Sequence, residues 1–426
     1  MSSDLLGAAP KLVIVGQGYV GLPIAMRAVE VGYDVVGLDV DEVRVSGLSA
    51  GVSHVEDVSV EQLKVALASG RYLATADTSA LAGFDVAVIT VPTPLKDTLP
   101  DLTFIEIAAA TLAPHLRPGA IVVLESTTYP GTTEELMVPI LEQGSGLKAD
   151  AEFHVGYSPE RIDPGNPVYG FVNTPKVVAG LGALAREKVS AFYSTLVDQV
   201  VEVSGPKEAE LTKLLENTFR HVNIALVNEL AIFARDLGID VWESIDAATT
   251  KPFGYMRFTP GPGVGGHCLP VDPSYLSWEV RKTLGHSFRF VELANDVNEH
   301  MPDYVVQRVM TGLNARRQAL NGSHVLLIGL AYKPNTGDTR ESPAVRVAEL
   351  LLAHGAEVRA VDPYVDPDRL RVSGVLLVDL TPEEVAWADA VVVLTDHDGL
   401  DYDAVAHAEA YVLDCRRRLK GLRECL

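Results

Sequence analysis

The sequence is short of cysteine, of basic residues and of long apolar runs, and each shortage removes a class of function. Its 426 residues include three cysteines, Cys268, Cys415 and Cys425. Three scattered thiols with no CxxC pair make neither a disulfide framework nor a zinc site, so no metal is expected and the thiols read as reduced. Lys and Arg number 35 against 57 Asp and Glu, a formal charge of −22. A nucleic-acid surface needs a basic face, and so does docking on anionic lipid; neither nucleic acid nor a membrane is expected as a partner. A small anionic ligand is not excluded, because a few convergent cations and backbone amides hold a phosphate inside an acidic protein. No apolar run approaches the roughly 18 residues of a membrane-spanning helix. The opening MSSDLLGAAPKLVIVG carries Asp4 and no basic segment ahead of an apolar one, so it does not read as a secretory signal and a cytoplasmic protein is expected. There is no short-period repeat and no low-complexity tract.

Two stretches far apart read alike. Residues 11–40, KLVIVGQGYVGLPIAMRAVEVGYDVVGLDV, pass from a β-branched run through a glycine turn and a helical-period segment to a second strand at Asp39. Residues 324–363 run the same way, from HVLLIG through PAVRVAELLLAHGAEVRAVDP, and reach Asp362. Buried-strand runs follow each copy: DVAVIT (85–90) and AIVVLES (120–126), then DAVVVLT (389–395) and AYVLD (410–414). Strands alternating with helices imply parallel sheets joined by right-handed crossovers. Between the copies, residues 207–238 keep helical periodicity up to Gly238. Residues 290–319 read as a second long helix, with Pro302 as a kink or break. The expected architecture is α/β: two Rossmann-like doubly wound domains, residues 1–205 and 318–426, joined by a helical region at 206–317.

Gly16-Gln17-Gly18-Tyr19-Val20-Gly21 is a GxGxxG between a strand and a helix. In that setting Gly16 permits the tight turn, Gly18 lets a pyrophosphate approach the backbone, and Gly21 lets helix and strand pack closely. The helix N-terminus then faces the phosphates. Asp39 ends the next strand about 20 residues on, where a carboxylate accepts from both ribose hydroxyls and repels a 2′-phosphate. This points to NAD, with Arg44 a mild counter-signal toward NADP. The second copy lacks the fingerprint, since Gly329 is followed by Leu330-Ala331-Tyr332-Lys333. Its loop from Lys333 to Arg340 reads either as a grip on a phosphorylated ligand or as a polar surface loop. Val91-Pro92-Thr93-Pro94 and Glu125-Ser126-Thr127-Thr128 fall at strand ends, where open α/β sheets bind their ligands.

Three further features carry reactive groups. In PGPGVGGHCLPVDP (260–273), dense glycine lets backbone pack against a ligand. Cys268 in it is either a reachable nucleophile or a small buried hydrophobe. Asp272, four residues on, can act as a base or hold a water, while His267 reads as a structural hydrogen-bonder. Lys213 and Asn217, spaced i,i+4, share one face of the first long helix, and His221 and Ile224 continue the stripe. The pair either stabilises an oxyanion or is a solvated surface. Glu160, in Tyr157-Ser158-Pro159-Glu160-Arg161, is a general-base candidate or a solvated loop acid.

In this order the motifs resemble the nucleotide-sugar 6-dehydrogenase family, enzymes that oxidise UDP-linked hexoses to uronic acids. The resemblance covers about residues 11–420. It rests on the glycine fingerprint, VPTP, ESTTYPG, SPER, the Lys213/Asn217 helix, GVGGHC and KPNTGDTRESPA. It implies two hydride transfers to NAD⁺, taking the sugar C6 alcohol through an aldehyde to an acid. Cys268 then matches the family nucleophile, which forms a thiohemiacetal and then a thioester. Lys213 and Asn217 match the groups that steady the oxyanion. Asp272 and Thr127 match residues that hold the water and assist proton removal, and Glu160 matches the residue assigned to thioester hydrolysis. Around the cofactor the resemblance implies Gly16, Gly18, Tyr19, Val20, Gly21, Asp39, Arg44, Pro92, Thr93, Thr127 and Arg340. Around the nucleotide-diphospho-sugar it implies Glu160, Arg161, Lys213, Asn217, Phe258, Gly265, Lys333 on the diphosphate, and Arg416 at the nucleotide end. It implies a homodimer built on the long central helix. Gly266-His267-Cys268 is similar to the branch acting on UDP-N-acetylglucosamine or UDP-N-acetylmannosamine, where enzymes for UDP-glucose usually read GGSC. Glucose on UDP or dTDP is the alternative, and a non-catalytic nucleotide-sugar binder is the more distant one.

Overall fold

The computed structural model describes residues 9–96, 99–163, 166, 168–266, 269, 271–370, 372–419, 421 and 424–426. The chain divides into two compact units, Met1–Glu216 and Asn217–Leu426. The division falls within a long helix, Pro206–Asp236.

The first unit is built on strands β1 (Lys11–Val15), β2 (Asp34–Leu38), β3 (Tyr72–Thr75), β4 (Val86–Ile89), β7 (Ile121–Leu124), β8 (His154–Tyr157), β9 (Lys176–Gly180) and β10 (Val200–Glu202), with a small ribbon of β5 (Leu95–Lys96) and β6 (Leu99–Pro100) set apart. The main sheet runs β10-β9-β8-β7-β4-β1-β2-β3. From β3 to β8 every neighbouring pair is parallel, and the order reverses between β1 and β4, the switch point at which such sheets hold ligands. The sheet is not parallel throughout, as the sequence reading expected: β9 runs antiparallel to β8. The cause is the connection. Among the described residues no helix lies between Tyr157 and Lys176, and without a helical crossover the chain returns beside β8 in the opposite sense. The helix Ala183–Ser194 restores a crossover, and β10 is again parallel to β9.

Both faces of the sheet are covered. Leu12 and Ile14 of β1 pack with Leu22, Ile24 and Met26 of the helix Gly21–Glu30, whereas Val13 and Val15 pack with Ile105 and Ala109 from the opposite side. That is why these strands read as continuous apolar runs instead of alternating ones. Burying each such side chain contributes about 1.5–3 kcal/mol.

The second unit repeats the plan with β11 (His324–Ile328), β12 (Glu357–Val361), β13 (Val375–Leu377), β14 (Ala390–Val393) and β15 (Tyr411–Asp414), all parallel in the order β13-β12-β11-β14-β15. Val325 and Leu327 face the helices Pro343–Ala353 and Arg289–Ala315, and Leu326 and Ile328 face Val385 and Val405. The first long helix stops two residues before Gly238, whose φ of +69° suits a helix end. The second, Arg289–Ala315, runs through Pro302 without interruption, so of the kink or break expected there the break is not found. Pro302 is buried, and the Asn298 carbonyl that it cannot serve faces Gly263, where a Cβ would lie 3.0 Å from that oxygen. Among the described residues no helix is long and apolar enough to cross a membrane.

Candidate active site

In the first unit the glycines do what their spacing implies. Gly16 sits at φ +94°, and a Cβ there would lie 2.8 Å from the Thr90 carbonyl oxygen. A Cβ on Gly21 would come within 1.9 Å of the Gly16 carbonyl oxygen. At Gly18 a Cβ would meet nothing within 4 Å. The glycine that has to admit a phosphate is thus the one facing open space. The helix that follows starts at Gly21 with no side-chain cap and no acid in its first turn, which leaves the positive end of its dipole for an anion. Tyr19 is exposed and Val20 half-buried beside it; Pro92 is exposed, Thr93 buried and Thr127 half-buried.

Asp39 closes this cradle. Its Oδ2 accepts from Gln17 N at 2.8 Å and from Arg44 Nη1 at 2.8 Å, and its Oδ1 accepts from Asp41 N at 3.0 Å. Each carboxylate oxygen has two acceptor sites, so Oδ1 keeps one for a ribose hydroxyl. Gln17 is itself fully buried, held by Tyr72 Oη–H at 2.7 Å, in space that exists because residue 37 is glycine: a Cβ there would lie 2.4 Å from Gln17 Oε1. Open space at Gly18, an uncapped helix end and a carboxylate with acceptor capacity left together fit NAD.

At the far side of the same sheet lies a group that the sequence only partly signalled. Glu160, Glu125, Lys176 and Tyr193 are all buried. Glu160 is therefore no solvated loop acid. Its Oε1 accepts from Ile162 N at 2.5 Å, and its Oε2 lies 3.9 Å from Lys176 Nζ with no hydrogen bond among the described residues. Lys176 pairs with Glu125 and also donates to the Pro159 carbonyl at 3.3 Å. Tyr193 Oη–H donates to Glu125 Oε2 at 2.7 Å. Burial pushes the Glu125 carboxyl up to about 7, with the Lys176 ammonium pulling the other way. Removing one partner of such a buried pair costs about 3–5 kcal/mol. Lys176 and Tyr193 escaped the sequence reading, although a lysine opening the apolar strand KVVAG is itself a signal. Arg161, expected at the substrate, is held by Glu216 at 2.7 Å and by the Pro175 carbonyl at 2.6 Å.

The long helix brings two more groups to this unit. Lys213 is buried, which rules out the solvated-surface reading, and has no ion pair or hydrogen bond among the described residues. A buried ammonium in that state suits an anionic group. One turn earlier Glu210 accepts from Gly131 N at 2.6 Å, Thr133 N at 2.9 Å and Thr133 Oγ1 at 2.7 Å. It fastens the helix to the segment that follows Thr127. Burial raises its carboxyl to about 7.

In the second unit Asn217 Nδ2 donates to Asp272 Oδ2 at 2.5 Å, and both residues are buried. Asp272 opens the helix Asp272–Leu284, four residues after Cys268. Cys268 and His267 lie outside the described residues. The other two thiols are poor nucleophiles: Cys415 is fully buried and burial drives its thiol far up, while burial brings Cys425 to about 11.

The glycine loop before Cys268 is tethered. Gly261 N donates to Asn228 Oδ1 at 2.9 Å, and Asn228 Nδ2 donates to Asn298 Oδ1 at 2.9 Å. His221 Nε2 and Asn295 Oδ1 hydrogen-bond at 2.7 Å, and burial pushes His221 below its ordinary value. Gly265 approaches the loop after β11 so closely that a Cβ would lie 2.7 Å from Tyr332 Cβ and 2.8 Å from the Glu341 carbonyl oxygen. Phe258 meets Phe219 edge to face at 5.7 Å. Lys333 is half-buried, and Arg340 forks onto Asp338 at 2.6 and 2.9 Å. Arg416 Nε donates to the Leu394 carbonyl at 2.8 Å, and its guanidinium lies against Gly261.

Comparison with known proteins covers nearly all of the chain. Residues 10–197 match the NAD binding domain of the UDP-glucose/GDP-mannose dehydrogenase family, residues 207–300 its central domain, and residues 326–421 its UDP binding domain. A UDP-N-acetyl-D-mannosamine dehydrogenase of Pyrococcus horikoshii is 36% identical over 388 residues, 91% of this chain and 89% of that protein. A UDP-N-acetyl-D-glucosamine 6-dehydrogenase of Pseudomonas aeruginosa is 37% identical over 392 residues, 91% and 90% of the two chains. The solved structure of a UDP-glucose dehydrogenase from Pyrobaculum islandicum superposes with a TM-score of 0.88 at 30% identity, covering 100% of this chain and 98% of that one.

The Asp39 geometry generates a test. Asp39→Asn keeps an acceptor but loses the charge that repels a 2′-phosphate, and it frees Arg44. The ratio of kcat/KM for NAD over NADP is expected to fall roughly tenfold or more, about 1.4 kcal/mol. An unchanged ratio would show that Asp39 does not select the cofactor.

Proposed function

The chain belongs to the UDP-glucose/GDP-mannose dehydrogenase family and is an NAD-dependent nucleotide-sugar dehydrogenase, and on that footing we propose that it oxidises C6 of a UDP-N-acetylhexosamine to the carboxylate. The observation that carries the reading is the buried Asn217–Asp272 hydrogen bond at 2.5 Å. It sets an amide and a carboxylate together, both buried, at the start of the helix that follows Cys268. The choice of an N-acetylhexosamine is supported by the GGHC sequence and by the named activities of the Pyrococcus and Pseudomonas relatives.

The residues divide the work as follows. NAD⁺, held by Gly16 to Gly21 and Asp39, supplies the hydride acceptor. Asp272, with Thr127, orders a water and assists removal of the C6 hydroxyl proton. Cys268 as thiolate adds to the C6 aldehyde and gives a thiohemiacetal. Loss of a second hydride leaves a thioester, which keeps the half-oxidised sugar bound while the cofactor is exchanged. Lys213 and Asn217 donate to the oxygen that carries negative charge at each tetrahedral stage, an effect worth about 10²–10³ in kcat per donor. Glu160 takes a proton from water as its oxygen attacks the thioester carbon. The C–S bond breaks, the acid leaves, and the thiolate of Cys268 is restored. Lys333 and Arg416 hold the diphosphate and the nucleotide, and Arg340 acts near the phosphates once it leaves Asp338.

The same reading makes the chain a homodimer through its long helix. Leu211, Leu215, Phe219, Leu226, Leu230 and Phe233 expose large apolar side chains at helical spacing, a stripe that a single chain leaves in water.

Two measurements follow. Purified protein offered UDP-N-acetylglucosamine, UDP-N-acetylmannosamine, UDP-glucose and dTDP-glucose should form two NADH per sugar on an N-acetylhexosamine, and Cys268→Ser should stop acid formation while retaining nucleotide-sugar binding. One NADH per sugar, or full turnover by Cys268→Ser, would overturn the covalent route. Two NADH on a glucose nucleotide alone would move the substrate to the other branch. By light scattering the protein should weigh twice its 45.7 kDa chain, and Leu230→Glu with Phe233→Glu should halve that mass; a wild-type reading of one chain would refute the dimer.

A further inference from the structure

We propose that Glu125, Lys176 and Tyr193 are positioning residues for Glu160: Lys176 is shared between two buried carboxylates, and the state of Glu125 decides how strongly it neutralises Glu160. The inference rests on the reading of Glu160 as the base for thioester hydrolysis.

The geometry is that of one cation between two acids. Lys176 Nζ ion-pairs with Glu125, donates to the Pro159 carbonyl at 3.3 Å, and stands 3.9 Å from Glu160 Oε2. It thus grips the backbone next to Glu160 while sitting just beyond hydrogen-bond range of the carboxylate. Lys176 is enclosed by the Phe171 and Tyr193 rings, with its Nζ 5.6 and 5.4 Å from their centroids, so water does not compete for it. Among the described residues Glu160 Oε2 has no hydrogen-bond donor of its own. The charged groups around Glu160 come from every neighbouring element: Lys176 from β9, Glu125 from the end of β7, Tyr193 from the helix Ala183–Ser194, and Arg161 on its own segment, already committed to Glu216 of the long helix.

The charges then determine the behaviour. With Glu125 ionised, Lys176 is drawn to it, the three groups carry a net charge of −1, and Glu160 is the stronger base. With Glu125 protonated, Lys176 neutralises Glu160 instead, and its carboxylate is held as a weaker base. Burial places the Glu125 carboxyl near 7, so the exchange falls within the working range of pH. Tyr193 favours the ionised form of Glu125 by donating to it. Neither Glu125 nor Lys176 needs to touch the sugar for this to operate.

The test is the pH dependence of the steady-state rate after the first NADH burst, where thioester hydrolysis is followed. Glu125→Gln, which keeps the side-chain shape, should leave Lys176 to Glu160 permanently. The acidic limb of the profile should move to lower pH by about one unit, with a lower plateau. Tyr193→Phe should move it the same way by less. Lys176→Met should move it to higher pH, because Glu160 loses its cation. Should Lys176→Met fail to fold, the first two variants still decide the matter. Limbs that stay at the wild-type pH in folded Glu125→Gln and Tyr193→Phe proteins, whatever their rates, would show the three residues to be structural. Glu160→Gln separates the two levels. If it leaves the post-burst rate intact, the assignment of Glu160 falls. If it lowers that rate about 10²–10⁴-fold while the other limbs do not move, the positioning inference alone falls.

Discussion

A carboxylate at the end of the second strand, clamped onto the turn that follows the first, is the interaction on which both sheets depend. In the first unit Asp39 accepts from Gln17 N; in the second Asp362 accepts from Leu330 N and Ala331 N at 2.7 and 2.9 Å. Each such charge-assisted bond contributes about 1.5–3 kcal/mol, and each fixes the turn at the ligand edge of its sheet. The two clamps then diverge. Asp39 retains an acceptor site beside three glycines, one of them facing open space. Asp362 is tied to a histidine instead: His397 Nε2 bonds its Oδ2 at 3.0 Å, and His397 Nδ1 accepts from Asn335 N at 3.0 Å, while its Oδ1 accepts from Tyr364 N much as Asp39 Oδ1 accepts from Asp41 N. Asp362 therefore differs from Asp39 in its histidine partner and in the glycine fingerprint that the turn beside it lacks. Its effect is instead to hold the loop that carries Lys333.

The reactive groups follow from burial. Lys213, Asn217, Asp272 and Glu160 are polar side chains kept from water, and each has a reason to be costly unless a ligand or a designed neighbour completes it. Glu210 and Glu125 show the supporting half of the arrangement. Both carboxyls are lifted to about 7 by burial, and both are surrounded by donors that hold a segment bearing a candidate functional residue. One fastens the long helix to the segment after Thr127; the other governs the lysine beside Glu160.

Much of this was legible in the residues because the signals are local. The strands of both sheets, the glycine turn, Asp39 and the first long helix follow from period, β-branching and turn chemistry, and the order of the motifs leads to the family. What the sequence hid is set by distance. Nothing in residues 158–175 announces that the missing helix will turn β9 antiparallel. Pro302 looks like a break when read alone, yet the helix Arg289–Ala315 continues through it. Lys176 meets Glu125 across 51 residues and Glu210 meets Gly131 across 79, and no window of sequence joins them.

The central claim is that the sugar is held as a thioester on Cys268. Intact-protein mass spectrometry of the Glu160→Gln protein, mixed with excess NAD⁺ and the preferred UDP-N-acetylhexosamine, tests it most directly. The account predicts an added mass equal to the acyl group of the nucleotide sugar, carried by the peptide that contains Cys268. A burst of NADH that stops after one turnover while the protein mass stays unchanged would contradict it.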